Sequence, residues 1–256
     1  MPAVQSESAT TAERNKTRLS ARVISCSELD ASTVAEMFSL YAANYADTSD
    51  AIFHHDLAQK THVLLLTDPG EGLRGFTTME IYSSVVAGEA LRVLFSGDTI
   101  IDPAHWGSPA LALEWIRFAG TVSREDSLPL YWLLIVKGHR TYRFLPTFAR
   151  QYLPHHAKAD DPAQRQLLSA LAREKFGELF DESSGVVRFP TPQGRLRSEL
   201  ADISERHGKL KSVAHFRALN PGYRSGDELV CLCRLATDNL RPLAARSFTA
   251  DLEETP

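Results

Sequence analysis

Apolar residues recur at helical spacing early in the chain, where Val34, Met37, Phe38 and Tyr41 fall on one stripe and Ser27 or Asp30 can cap the start. A second short helix is expected over residues 52–60. Two strand-length runs follow, residues 62–67 and 73–86, joined by Asp68-Pro69-Gly70-Glu71-Gly72, which reads as an antiparallel hairpin. Residues 91–101 form a third long strand. Gly97 in its interior predicts a bulge or a close backbone approach.

The pattern then changes period. Residues 102–107 are a loop, Ser108-Pro109 supplies a cap followed by proline, and a helix over 110–119 carries Leu111, Trp115 and Phe118 on one stripe. The uninterrupted apolar run of residues 130–136 suggests a strand covered on both faces, which with the preceding strand and helix makes a right-handed βαβ unit. Residues 140–152 read as a helix that Pro146 must kink or divide. An amphipathic helix is expected over 163–181, a short strand over 185–189, a charged helix over 196–207 and a last strand over 228–235. Residues 1–20 read as a disordered leader and 241–256 as a loose tail, leaving one domain over 21–240 with a helical insertion at about 157–219.

Composition narrows the function classes. The 28 basic and 32 acidic residues are interspersed and sum to −4, so no general attraction to nucleic acid or anionic lipid is expected. Cys26, Cys231 and Cys233 do not have zinc-ribbon or disulfide-framework spacing, and Cys231 and Cys233 read as small buried hydrophobes on one strand face. No run approaches a membrane span or a signal peptide, and a cytoplasmic protein is expected.

The stretch Thr99-Ile100-Ile101-Asp102-Pro103-Ala104-His105-Trp106-Gly107-Ser108-Pro109-Ala110-Leu111 resembles the GNAT acyltransferase superfamily at the place where a strand ends, a loop turns and a helix opens. An aliphatic pair, a proline two residues on and a glycine match the pattern. His105 or Trp106 stands where arginine or glutamine is usual, and the second glycine is absent. The resemblance covers residues 21–153 and 220–235. It implies an α+β fold whose mixed, mostly antiparallel central sheet holds a splayed parallel strand pair, flanked by helices. It also implies acyl-CoA, or an acyl group on phosphopantetheine, as co-substrate.

Physical chemistry supports the same place. A glycine loop feeding a helix N-terminus presents unpaired N–H groups to an anion, and Gly107, Ser108, Ala110 and Leu111 are the candidate donors, since Pro109 has none. The resemblance further implies that backbone groups of Asp98, Thr99, Ile100 and Ile101 meet the pantetheine amides like an added strand. The plain alternatives are an ordinary capped helix and a structural bulge.

Amide formation from a thioester needs a base for the amine and an acid for the departing thiolate. Glu80 and Asp98 are the candidate bases, and Tyr142 resembles the helix tyrosine that many GNAT members direct at the sulfur. Each has a bland reading: Glu80 facing solvent, Asp98 bonding nearby backbone, Tyr142 packing beside Leu145. Trp115, Tyr131, Trp132, Tyr142, Phe144, Phe148 and Tyr152 suggest either core packing or a long apolar acyl pocket. His54-His55-Asp56 and His155-His156 lack metal-ligand spacing, so no metal is expected, and neither a serine-hydrolase elbow nor a phosphate-binding P-loop is present.

The expected activity is transfer of an acyl group from acyl-CoA or an acyl carrier protein to a small-molecule amine, with no nucleic-acid or membrane partner and homodimerisation left open. The alternative is a GNAT-like module that binds a ligand or partner without catalysis.

Overall fold

A computed structural model describes residues 19–70, 72–191 and 193–250. Residues 1–18 of the leader expected over 1–20, and the end of the tail, residues 251–256, lie outside the described residues, while Ser20 already belongs to a strand.

The chain opens with strand β1 (Ser20–Ser25), helix α1 (Ala31–Asn44), the short β2 (Tyr45–Ala46) and α2 (Asp50–Leu57). Asp30 caps α1 through the Thr33 N–H at 2.7 Å, and Ser49 caps α2. Three long strands follow, β3 (His62–Asp68), β4 (Gly72–Val86) and β5 (Glu89–Ile101), then α3 (Ala110–Arg124) and β6 (Leu130–Val136). Beyond them come α4 (His139–Tyr142), α5 (Phe144–Phe148), α6 (Pro162–Phe176), β7 (Phe180–Asp181), β8 (Val186–Val187), β9 (Arg195–Leu196), α7 (Ser198–Ala201), α8 (Glu205–Gly208), α9 (Lys211–Leu219), β10 (Glu228–Arg234) and α10 (Pro242–Thr249).

Eight strands form one sheet in the order β1-β3-β4-β5-β6-β10-β8-β7, and β2 pairs with β9 apart from it. Every pairing is antiparallel except β5 with β6, which α3 connects. The fold class is therefore α+β, with a mixed, mostly antiparallel sheet and one parallel pair, as expected.

Both faces of the sheet are covered, which explains the continuous apolar runs. Val63 and Leu65 of β3 pack with Met37, Tyr41 and Phe53 of α1 and α2, while Leu64 and Leu66 face Trp115 and Ile116 of α3. Leu168 and Leu171 of α6 cover Val93, Leu133 and Val230. Cys231 and Cys233 are buried beside α3 and α10, as small hydrophobes.

Several elements differ in detail from the sequence pattern. Strand β1 went unread because only six residues carry it and its pattern is irregular; its evidence is the register with β3, Ser20 opposite Thr67 through Ser25 opposite His62. The 140–152 helix divides into α4 and α5 around Arg143, and the 196–207 helix is two single turns, α7 and α8, split at Asp202. The described part of the supposed loose tail is α10, docked on α3: Phe248 is buried, its carbonyl accepts from Arg124 Nη1 at 2.9 Å, and Gly120 provides the close approach. Of the two readings of the aromatic run, core packing describes Trp115, Trp132, Tyr142, Phe148 and Tyr152, which are buried, while Phe144 also lines the cleft described below. Trp115, Trp132 and Phe148 stack on one another, and the Trp132 indole N–H donates to Ser96 Oγ at 3.0 Å.

Candidate functional site

The parallel pair is joined over only part of its length. Pairing runs from Arg92 opposite Leu130 to Ser96 opposite Leu134, yet β5 continues to Ile101 and β6 to Val136. What stops it is a bulge on β5. Thr77 of β4 faces Thr99 and Met79 faces Ser96, so Gly97 and Asp98 together oppose Thr78 alone. The Asp98 N–H turns to Thr78 Oγ1 at 3.1 Å. Gly97 permits this because a Cβ there would stand 2.6 Å from Thr78 Oγ1 and 2.9 Å from Lys60 Cε.

The fold is GNAT-like. A strand order with one parallel pair opening beyond a bulge, and a loop from the bulged strand into a helix, decides it.

Solved structures of that kind resemble parts of this chain at low identity. A GNAT family N-acetyltransferase from Escherichia coli, YhbS, in complex with CoA is 20% identical with a TM-score of 0.38, covering 57% of this chain and 77% of its own. A probable N-acyltransferase of unknown function from Enterococcus faecalis is 16% identical with a TM-score of 0.38, covering 53% of this chain; the chain spans 33% of its length. An acetyltransferase from Trypanosoma brucei is 16% identical at a TM-score of 0.37, covering 56% of this chain and 96% of its own. No family model and no curated protein matches the chain.

The opening of the GNAT-like sheet continues into a cleft of about 1060 Å³. Thr99, Ile100, Ile101, Trp106, Gly107 and Ser108 line it, as does Asp98. Three residues expected there have side chains elsewhere. His105 has its Nδ1 3.8 Å from Asp102 Oδ2, Leu111 is buried in the core, and Ala110 does not line the cleft, its N–H donating to Ser108 Oγ at 3.3 Å. Ser108 thus caps α3 one residue earlier than a standard cap, and Pro109 contributes its carbonyl to Leu113.

Trp106 restricts the added-strand role of β5, because its indole N–H donates to the Ile101 carbonyl at 2.9 Å. The indole is covered in turn by the Arg140 guanidinium, 3.8 Å from the ring centroid. Arg140, Arg143 and Arg206 line the same end of the cleft, and none is ion-paired with a carboxylate among the described residues. Arg140 donates to the Leu200 carbonyl at 2.7 Å, and Arg143 Nη1 meets His207 Nε2 at 3.1 Å. Burial, helped by Arg140, His207 and Arg143, pushes the His139 imidazole down to about 4. The positive charge here therefore comes from the arginines and the helix N-terminus.

Deeper in, the floor is ionic. The Asp98 carboxyl is pushed up to about 6 by burial, against the opposing pull of Lys137. Glu228 of β10 rises to about 7 for the same reasons in the same order. Sequence reading missed Lys137, Glu228 and Lys60, since each looked like an ordinary charge at a strand or helix end. The one available signal was Glu228 opening an otherwise apolar strand.

Of the three expected catalytic residues only Asp98 reaches the cleft. Glu80 lies behind its wall, paired with Lys175 at 2.6 Å. Tyr142 is fully buried among Tyr152 and Phe216, and its hydroxyl donates to the Pro154 carbonyl at 2.6 Å. Tyr142 closes the single turn of α4, and its ring is turned into the core.

Proposed function

We propose that this chain is an N-acyltransferase that moves an acyl group from acyl-CoA to the amine of a small molecule, with Asp98 as general base. The observation that carries the reading is the half-buried Asp98, which lines the cleft at the bulge where β5 parts from β6. A carboxyl pushed up to about 6 is ionised at neutral pH and still basic enough to accept a proton from an amine about to attack. Asp98 takes that proton as the N–C bond forms. The C–S bond breaks, and the departing thiolate takes up one proton to leave as free thiol, so no further reactant is needed.

The arginine-lined end of the cleft favours CoA over a carrier protein. CoA brings a diphosphate and a 3′-phosphate, whereas a carrier-bound arm brings one phosphodiester, and Arg140, Arg143 and Arg206 beside the α3 N-terminus suit the larger charge. Phe95, Ile135, Phe176, Leu179 and Phe189 provide an apolar wall elsewhere in the cleft for the acyl group or the acceptor.

Thiol release from acetyl-CoA, followed against a panel of primary amines, tests this. Amine-dependent release that Asp98→Asn abolishes is expected. Thermal stabilisation by CoA with no release from any acceptor would replace the enzyme with a binding module, and release by water alone would make it a hydrolase.

A further inference from the structure

Lys60 brings an ammonium to the point where β5 leaves β6. It follows α2, with its backbone N–H on the Leu57 carbonyl at 3.0 Å, and its side chain is only 2% exposed. A Cβ at Gly97 would stand 2.9 Å from Lys60 Cε and 3.7 Å from its Nζ, so the lysine stem lies on the bulge and the glycine makes room for it. The ammonium is 5.6 Å from the Phe95 ring centroid, and Lys60 lines the cleft together with Gly97 and Asp98.

An ammonium has three hydrogens to donate. Asp56, one turn earlier on α2, accepts twice from Lys60 Nζ, through Oδ1 at 2.5 Å and through its backbone carbonyl at 3.2 Å. Among the described residues no acceptor meets the third hydrogen. A charge so far withdrawn from water normally fills its donors, because each one left without a partner keeps the cost of desolvation. The other two lysines of the cleft are placed differently. Lys137 Nζ lies 3.3 Å from Glu228 Oε1 and donates to the Gln193 carbonyl at 3.4 Å, while Lys175 pairs with Glu80 at 2.6 Å and covers the Phe95 ring. Lys60 is thus a fixed, charged donor on the bulge with one bond left to give.

We propose that the Lys60 ammonium donates its third hydrogen to the carbonyl oxygen of the bound thioester, and so stabilises the oxyanion that forms there when the amine attacks. The proposal rests on the acyl-transfer reading with Asp98 as base. Consecutive Cα atoms are about 3.8 Å apart, so a carbon attacked by an amine that gives its proton to Asp98 lies close to a donor seated on Gly97. As the N–C bond forms, the π electrons of the carbonyl move to oxygen, and the N–H···O bond from Lys60 strengthens against the new negative charge. When the C–S bond breaks, those electrons return to the carbonyl and the thiolate leaves. Lys60 keeps its proton throughout, so the proton balance involves only the amine, Asp98 and the thiol. Asp56 fixes the ammonium beforehand, which spares reorganisation at the moment of attack.

The test follows single-turnover thiol release at pH 9, above the Asp98 value of about 6, together with the infrared carbonyl stretch of bound acetyl-CoA carrying 13C at that carbon. In the wild-type chain the stretch should lie below its value in water. In Lys60→Met it should return toward that value while release slows by about 10²–10³-fold, the usual loss on removing one oxyanion donor. The amine concentration giving half-maximal rate should change little. Lys60→Gln, which keeps an N–H, should fall between the two, and it carries the test with the wild-type stretch should Lys60→Met fail to fold. Release at the wild-type rate from folded Lys60→Met overturns the proposal and leaves acyl transfer standing. Slower release with an unmoved stretch also overturns it, as does a loss confined to the half-saturation of amines that bear a carboxylate, which would make Lys60 a binding residue for the acceptor. A stretch that behaves as expected in a protein releasing no thiol to any amine would support the Lys60 contact and overturn the acyl-transfer reading. Failure of acetyl-CoA to bind overturns both.

Discussion

The proposed base, Asp98, carries a cost to the fold. Its carboxyl and that of Glu228 are raised by burial to about 6 and about 7, so the folded chain favours their protonated forms. Their contribution to stability is complete below the ordinary carboxylate range and is lost as pH climbs through those two values. Activity has the opposite sign, because the base must be ionised: kcat/KM should fall as pH drops through about 6. Asp98→Asn should therefore lower turnover by about 10²–10⁴-fold. It should also raise stability at pH 8 by about 1–3 kcal/mol and hardly change it at pH 4, as denaturant unfolding at the two pH values would report. Loss of stability at pH 8 would mean that the ionised carboxylate is a net structural asset. Tyr142 offers the contrasting case. With its hydroxyl on the Pro154 carbonyl and its ring in the core, Tyr142→Phe should leave turnover within about twofold while costing about 1 kcal/mol, the usual size of one such bond.

At the scale of elements, long periodic segments were legible and short ones were not. Capping at Asp30, the β3–β4 hairpin, the bulge at Gly97 and the buried strand over 130–136 follow from residue types at fixed spacing, which local physics decides. Pro146 showed that the 140–152 helix is divided, though not that the break falls at Arg143, and the split at Asp202 was not legible, since single turns are held by tertiary contacts and not by their own propensity. The docking of α10 was hidden for another reason: it depends on Gly120, in the middle of α3, where a Cβ would come within 1.8 Å of the Phe248 carbonyl. Gly120→Ala should release α10 and cost about 2–3 kcal/mol through overpacking and lost burial of Phe248. Calorimetry should then show a melting temperature lowered by roughly 4–12 °C. Turnover per folded molecule should persist, because neither residue touches the cleft.

Across the whole molecule, the site assembles from segments far apart in sequence. Asp98 comes from β5, Lys137 from the end of β6 and Glu228 from β10, with Lys60 and Tyr45 added from the first sixty residues. One sequence names only the member that sits beside a recognisable loop. Asp98 was a candidate because its strand was expected to border the cleft, while the Lys137–Glu228 pairing became visible only with the β6–β10 register. The same long-range assembly misplaced Tyr142, because its distance from β6 suits a helix that runs on, and α4 does not.

In the proposed enzyme the parted ends of β5 and β6, with the α3 N-terminus and its arginines, hold an acyl-CoA. Titration calorimetry of the full chain with acetyl-CoA tests it most directly. The account predicts one molecule bound per chain, with affinity weakened by Trp106→Ala and by added salt as the indole–guanidinium stack and the arginine charges are removed or screened. Absence of binding by acetyl-CoA, CoA and 4′-phosphopantetheine alike would contradict it.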